Sequence, residues 1–268
     1  MTTAPPLFGT FHLVASLLCF VLPLVAAYLL RKTGAGVRLR ILFGCGCVLL
    51  LLELYKQWYF FTVIHDGIYD CSVFPFQQCS LPMYLCLLLP LYWGRVRNAA
   101  IVFLFDYVCY AAVLALVYPE GMLRPYLPMI LHGFIWHAIL VFIALLVFFG
   151  DAFHPLFNMR SFMGATVILL CACLIATVIN VLLEGKGLIG TYPDMFYLTP
   201  YHMTAQPVAS DIEASFGRLT ARITYVLALI LLGAVSHMFF LLAHRRRNKR
   251  IIYGHRKGKI GCEKCEKC

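Results

Sequence analysis

Long apolar stretches alternate with short polar ones along the chain, and the lengths of the apolar stretches carry most of the information. Hydrophobic runs can be marked at about 8–30, 41–64, 74–93, 98–118, 127–149, 161–183 and 218–243. Crossing ~30 Å of hydrocarbon at 1.5 Å per residue takes roughly 17–25 residues, so each run is long enough to span a bilayer as a helix. A spanning backbone must satisfy its own amide groups, which only helices and closed barrels do. These runs are continuously apolar rather than alternating, and that excludes barrel strands. The pattern therefore predicts an all-α polytopic bundle of about seven transmembrane helices, a single domain over residues 1–243, followed by a basic tail at 244–268.

Composition agrees, with 62% hydrophobic and 13% charged residues, against roughly half and a quarter in soluble domains. The basic residues are unevenly placed. Arg31, Lys32, Arg38 and Arg40, then Arg95, Arg97 and Arg160, and the tail from Arg245 onward all fall on one side, while the opposite loops hold only Arg124 and Lys186. Basic loops stay cytoplasmic, so the N-terminus is expected outside or in a lumen and the C-terminus in the cytoplasm. The net charge of +10 is concentrated in a juxtamembrane tail, which suits anionic lipid headgroups and not nucleic acid. No basic residue precedes the first run, so it lacks the leading region of a cleaved signal peptide and is expected to remain as a helix. An integral membrane location follows: endoplasmic reticulum or another endomembrane in a eukaryote, the plasma membrane in a bacterium.

Inside the apolar runs a few polar residues call for a role. His132 and His137 interrupt 127–149, and ionisable groups at that depth are expensive. Measured along the helices, Cys79 and His132 both lie roughly 8 Å below the outer surface. His12, Asn180 and Arg222 fall within about one turn of that level. Glu53, Lys56, Gln57 and His137 lie deeper, so Glu53 and His137 are expected to meet near the midplane. The two histidines are about 140° apart around their helix, and only one of them reaches a given nucleophile unless Pro128 distorts the turn.

A thiol beside an imidazole that removes its proton can attack an acyl carbon and leave again. Cys79 with His132 or His137 is the candidate pair, with Glu53, Asn180, Gln77 and His12 as orienting groups and Arg222 or Lys56 to hold a phosphate. The same residue types also serve as interhelical hydrogen bonds, and Glu53 with Lys56 at i, i+3 also reads as a neutralised structural pair.

Of the twelve cysteines, most lie within the apolar runs and act there as small hydrophobes. Cys71 and Cys79, near the outer face, are a candidate disulfide. Cys262, Cys265 and Cys268 resemble a metal site but need a fourth ligand, for which only His255 is near; a flexible, palmitoylated tail is the simpler reading. No metal and no cofactor are expected. The loop 184–217 carries T-Y-P-D-M-F-Y-L-T-P-Y at 191–201 and reads either as a re-entrant lid or as an aromatic anchor at the interface.

Several short motifs follow one another along the chain: F-G-T-F-H-L at 8–13, Glu53 with Trp58, F-P-F-Q-Q-C-S at 74–80, L-H-G-F-I-W-H at 131–137, Asn180, and Y-P-D-M-F-Y-L with Gln206-Pro207 beyond it. On these the chain resembles the YwaF-like integral membrane proteins, whose eukaryotic branch includes the transmembrane protein 164 group. The resemblance implies an acyltransferase that moves an acyl chain from one phospholipid to a lysophospholipid, ether-linked acceptors included, by cysteine and histidine chemistry. Phospholipid and lysophospholipid are then the expected partners. Relatives tend to carry a histidine where this chain has Gln77, and an amide is not a base. Two other functions use the same residues. One is a transporter or channel with His132, His137, Glu53 and Lys56 along a polar path; the other is a lipid hydrolase with water as acceptor.

Overall fold

The structure, a computed structural model, describes residues 4–119, 121–186, 190–204 and 206–265, with side chains described as far as His244 except that of Pro207. In chain order the helices are α1 (Thr10–Leu29), α2 (Ala35–Tyr59, continued by a π turn over Phe60–Ile64), α3 (Leu81–Leu88, between 3-10 turns at Gln78–Ser80 and Leu89–Leu91), α4 (Gly94–Asp106), α5 (Val108–Val117), α6 (Leu127–Phe148), α7 (Met159–Leu183), α8 (Pro207–Phe216) and α9 (Arg218–Cys265). No strand occurs among the described residues.

Among the described residues six stretches are long and apolar enough to cross a membrane: Thr10–Lys32, Ala35–Ile64, Gly94–Val117, Leu127–Phe148, Met159–Leu183 and Arg218–His244. The run expected at 74–93 behaves differently. It is helical only over Gln78–Leu91, roughly 20 Å against ~30 Å of hydrocarbon. Pro75 accounts for the late start, since Phe74 before it is held in extended backbone, while Pro82 and Pro90 sit at the first positions of the two short helical pieces they begin.

The α4–α5 rod and α6 form the inside of the bundle, with the whole Ala99–Asp106 run of α4 buried. Around them stand α1, α2, α7 and α9. The outer α1 buries only His12, Cys19, Pro23 and Ala27 and turns Leu17, Leu22 and Leu29 outward. Outward apolar side chains cost nothing in lipid, and small inward residues let the backbones approach. Two glycines make such approaches possible. A Cβ on Gly46 of α2 would lie 2.8 Å from the backbone nitrogen of Leu87 in α3, and one on Gly233 of α9 would lie 2.5 Å from Cε1 of Tyr107.

Tyr107 breaks the rod between α4 and α5. Its carbonyl, outside the regular helix ladder, needs another donor at this depth, and Gln78 Nε2 supplies it at 3.0 Å. The Tyr107 hydroxyl pairs with Thr166 Oγ1 at 2.6 Å, which ties the break to α7. Next to it, Asp106 Oδ2 and His237 Nδ1 are 2.7 Å apart and both residues are buried, joining α4 to α9.

Helix ends segregate into two sets. At one end Arg38, fully buried, donates to the carbonyls of Leu30, Thr33, Leu146 and Phe149 and so closes the C-terminal ends of α1 and α6. A guanidinium suits this task because its fork of donors meets several orphan carbonyls at once. At the other end the Cys71 thiol donates to the Lys186 carbonyl, and the segment before α3 lies against the loop after α7.

Candidate active site

Cys79 sits on the 3-10 turn that leads into α3 and packs against the core. Its carbonyl accepts a hydrogen bond from Trp136 Nε1 at 3.0 Å, and the same indole stacks on His132 with ring centroids 5.7 Å apart. His132 Nε2 in turn lies 3.1 Å from the Leu52 carbonyl of α2. One residue on, Glu53 pairs with Lys56 at 2.8 Å and accepts from Gln57 Nε2 at 2.7 Å. Gln57 Nε2 also reaches the Val73 carbonyl at 2.8 Å, which ties α2 to the segment preceding the cysteine. The charges of Lys56 and Glu53 act on both the Cys79 thiol and the His132 ring. Cys79, Trp136, His132, Glu53 and Lys56 therefore form one cluster contributed by α2, α6 and the turn before α3.

Each candidate imidazole spends one nitrogen on a carbonyl. A ring nitrogen facing a carbonyl must carry the proton, which leaves the other nitrogen free to act as a base in the neutral ring. For His132 that base is Nδ1. For His137, whose Nδ1 lies 2.8 Å from the Gly133 carbonyl one turn back, it is Nε2. Neither imidazole is hydrogen-bonded to the Cys79 thiol. Glu53 lies beside the contact made by His132 instead of meeting His137, because depth counted along a helix ignores tilt and the wide turn at Phe60–Ile64. His12 stands apart from the cluster. It accepts from the Phe8 amide at 3.0 Å and lies 3.0 Å from the Leu116 carbonyl, so both ring nitrogens are used at the junction of α1 and α5.

The loop after α7 folds back against the bundle, and its centre is buried within the protein. Met195, Phe196 and Thr199 are fully buried. Two amide side chains clamp it. Gln77 donates to the Asp194 carbonyl at 2.7 Å and accepts from the Phe196 amide at 2.8 Å. Asn180 accepts from the Met195 amide at 2.7 Å and donates to the Met195 carbonyl at 3.1 Å. Inside this clamp Phe196 and Tyr197 take φ of 56° and 55°, a left-handed conformation costing of order 1–3 kcal/mol per bulky residue. Phe196 packs on Phe76, and Tyr197 meets Tyr225 of α9 edge to face. Burial above all, then the neighbouring Cys79 and Asp194, push the Tyr197 phenol up to about 12, so at neutral pH it is an O–H donor beside the thiol.

Two residues expected to take a headgroup are committed within the protein. Lys56 is held by Glu53. Arg222 pairs with Glu213 at 2.5 Å and donates to the carbonyls of Thr199 and His202; Glu213 also takes Arg218 at 2.7 Å. Cys71 and Cys79 are unbonded thiols, the first turned to Lys186 and the second to the cluster. Among the described residues no group of three or more His, Cys, Asp or Glu side chains is arranged for a metal, and the side chains of Cys262, Cys265 and Cys268 lie outside the described residues. Trp136 and Tyr197 were missed as site residues by pattern reading, since an indole and a phenol in apolar or interfacial surroundings read there as packing.

The profile of the TMEM164 family matches residues 7–241, which includes every residue of the cluster and of its clamp. No curated protein and no solved structure matches the chain. A match over nearly the whole helical domain, on a bundle with six helices fit to cross a bilayer, makes the chain a multi-pass helical membrane protein belonging to the TMEM164 family.

Proposed function

We propose that the chain is a membrane-embedded acyltransferase that moves a fatty acyl chain from a phospholipid to a lysophospholipid through Cys79 and His132. The observation that carries this reading is the Trp136 bridge, which fixes the backbone of Cys79 and the ring of His132 in one unit beside Lys56 and Glu53. His132 takes the thiol proton on Nδ1, and the ammonium of Lys56 offsets part of the burial and of the Glu53 charge that raise the thiol. The thiolate attacks the ester carbonyl of the donor lipid, and the Tyr197 hydroxyl donates to the oxyanion that forms. Collapse breaks the ester C–O bond, the departing lysophospholipid takes its proton from His132, and the acyl group stays on sulfur as a thioester. In the second half the acceptor hydroxyl gives its proton to His132, attacks the thioester and expels the Cys79 thiolate. The thiol–imidazole hydrogen bond belongs to the lipid-bound state, since such contacts often tighten only when substrate is in place. Apolar walls around the cluster favour a lipid hydroxyl over water as acceptor.

The test is an assay in nanodiscs with a phospholipid carrying a labelled acyl chain and an added lysophospholipid. The expected result is a labelled diacyl product together with a hydroxylamine-sensitive acyl adduct on Cys79, both lost in Cys79→Ala and both strongly reduced in His132→Gln. Full transfer by a well-folded Cys79→Ala protein overturns the reading. Labelled free fatty acid in place of diacyl product would make the protein a hydrolase, and solute flux lost in His137→Ala but kept in Cys79→Ala would make it a transporter.

A further inference from the structure

The structure assigns a phospholipid-binding groove to the lipid-facing seam between α7 and α9, which shares no lining residue with the Cys79 cluster and is independent of its chemistry. Both helices pack on α4 but barely on each other, which leaves an open channel of about 390 Å³ between them. That is within the size of ordinary ligand sites. Its walls are almost wholly apolar: Leu174 on one side, Ile223 and Leu227 on the other, and Leu198 of the loop after α7 at its head. Thr177 and Arg222 are the polar exceptions. From Arg222 to Ile230 the groove follows eight residues of α9, about 12 Å at 1.5 Å per residue, which suits a stretch of acyl chain.

Charge settles what kind of chain-bearing molecule fits. Arg222 lines the groove, and Arg218, at the first residue of α9, stands one turn above it. Both contact one carboxylate, that of Glu213. Two guanidinium groups against one carboxylate leave a net positive charge at the mouth of an apolar slot. Nε of Arg222 is buried and has no hydrogen-bond partner among the described residues. The first turn of a membrane-spanning helix lies at the depth of lipid phosphates, so the position matches as well as the charge. A phosphate-bearing lipid, with its headgroup at the exposed Arg218 and one acyl chain along Ile223 and Leu227, satisfies both ends, while Arg222, bonded within the protein, adds only its charge.

Lipid retention tests this without any activity measurement. Protein extracted from phospholipid nanodiscs is examined by native mass spectrometry for the copies of phospholipid that stay bound. Leu227→Trp and Leu174→Trp fill the slot from opposite walls, and both positions are exposed, so neither should disturb melting. Each is expected to lower the tightly held phospholipid at least tenfold, while Leu17→Trp on the lipid face of α1 leaves it unchanged. Arg218→Gln is expected to abolish the preference for phospholipid over phosphate-free diacylglycerol. Retention in both Trp variants equal to the unaltered protein overturns the site, and equal retention of diacylglycerol and phospholipid by the unaltered protein overturns the part given to the arginines. Because acyl transfer is not read, failure of either kind is separate from failure of the acyltransferase reading.

Discussion

Tyr197 holds a backbone conformation that a bulky side chain takes only at a cost, and the amides that impose it come from residues far along the chain. Strain of this kind survives where surrounding structure over-determines it, and here it holds a phenol near enough to feel the Cys79 thiol. Tyr197→Phe keeps the ring against Tyr225 and removes only the hydroxyl. Acyl transfer is expected to fall about 10²–10³-fold in kcat with little change in melting temperature, the range seen when an oxyanion donor is lost. Undiminished turnover would deny the hydroxyl that part. At this scale Cys79, Glu53, Lys56 and His132 could be read from sequence, because a polar residue in an apolar run stands out. The function of Gln77 could not. Its partner Asp194 lies 117 positions away, and a side chain that looks like a lost histidine turns out to be a clamp on the loop.

Among the elements, the loop after α7 and the start of α9 behave as one assembly centred on Glu213. Burial would raise this carboxyl, but the hydrogen bonds from Arg218 and Arg222, with that from the Thr204 amide, outweigh it and hold the group down from 4.5 to about 2. A depressed carboxylate contributes stability above its unfolded value and loses it as pH falls through its folded value. The loop is therefore expected to be equally resistant to protease down to about pH 4.5 and to open progressively between there and about pH 2, with Glu213→Gln open throughout. An acid transition that persists unchanged in Glu213→Gln would assign it to another group. Six of the seven apolar runs correspond to long helices, since length and hydropathy act locally. The short helix at 78–91 was foreshadowed by its prolines. The break at Tyr107 was not, because neither proline nor glycine marks it and its stabilising donor, Gln78, is remote.

For the molecule as a whole, fold class was the most legible property, as the solvent imposes it on every span at once. Which end faces which compartment is a separate matter, and we propose the arrangement that the basic loops favour. The end bearing the loop after α7 lies outside or in a lumen, and the end closed by Arg38 lies in the cytoplasm. A glycosylation acceptor inserted after Gly185 is expected to be modified in a eukaryotic membrane, and one inserted after Phe149 to remain bare. The opposite pattern would invert the arrangement and put the Cys79 cluster near the cytoplasmic surface.

Between those two ends, the contact of Asp106 with His237 limits how the last helix can sit. Rotating α9 by a fraction of a turn, or slipping it by a single position, would strand a carboxyl group in hydrocarbon without its imidazole, and a broken buried pair costs roughly 3–5 kcal/mol. The pair thus works as a key that admits one azimuth of α9, and the side chains above it, Arg222 and Tyr225 among them, inherit their aim from that lock.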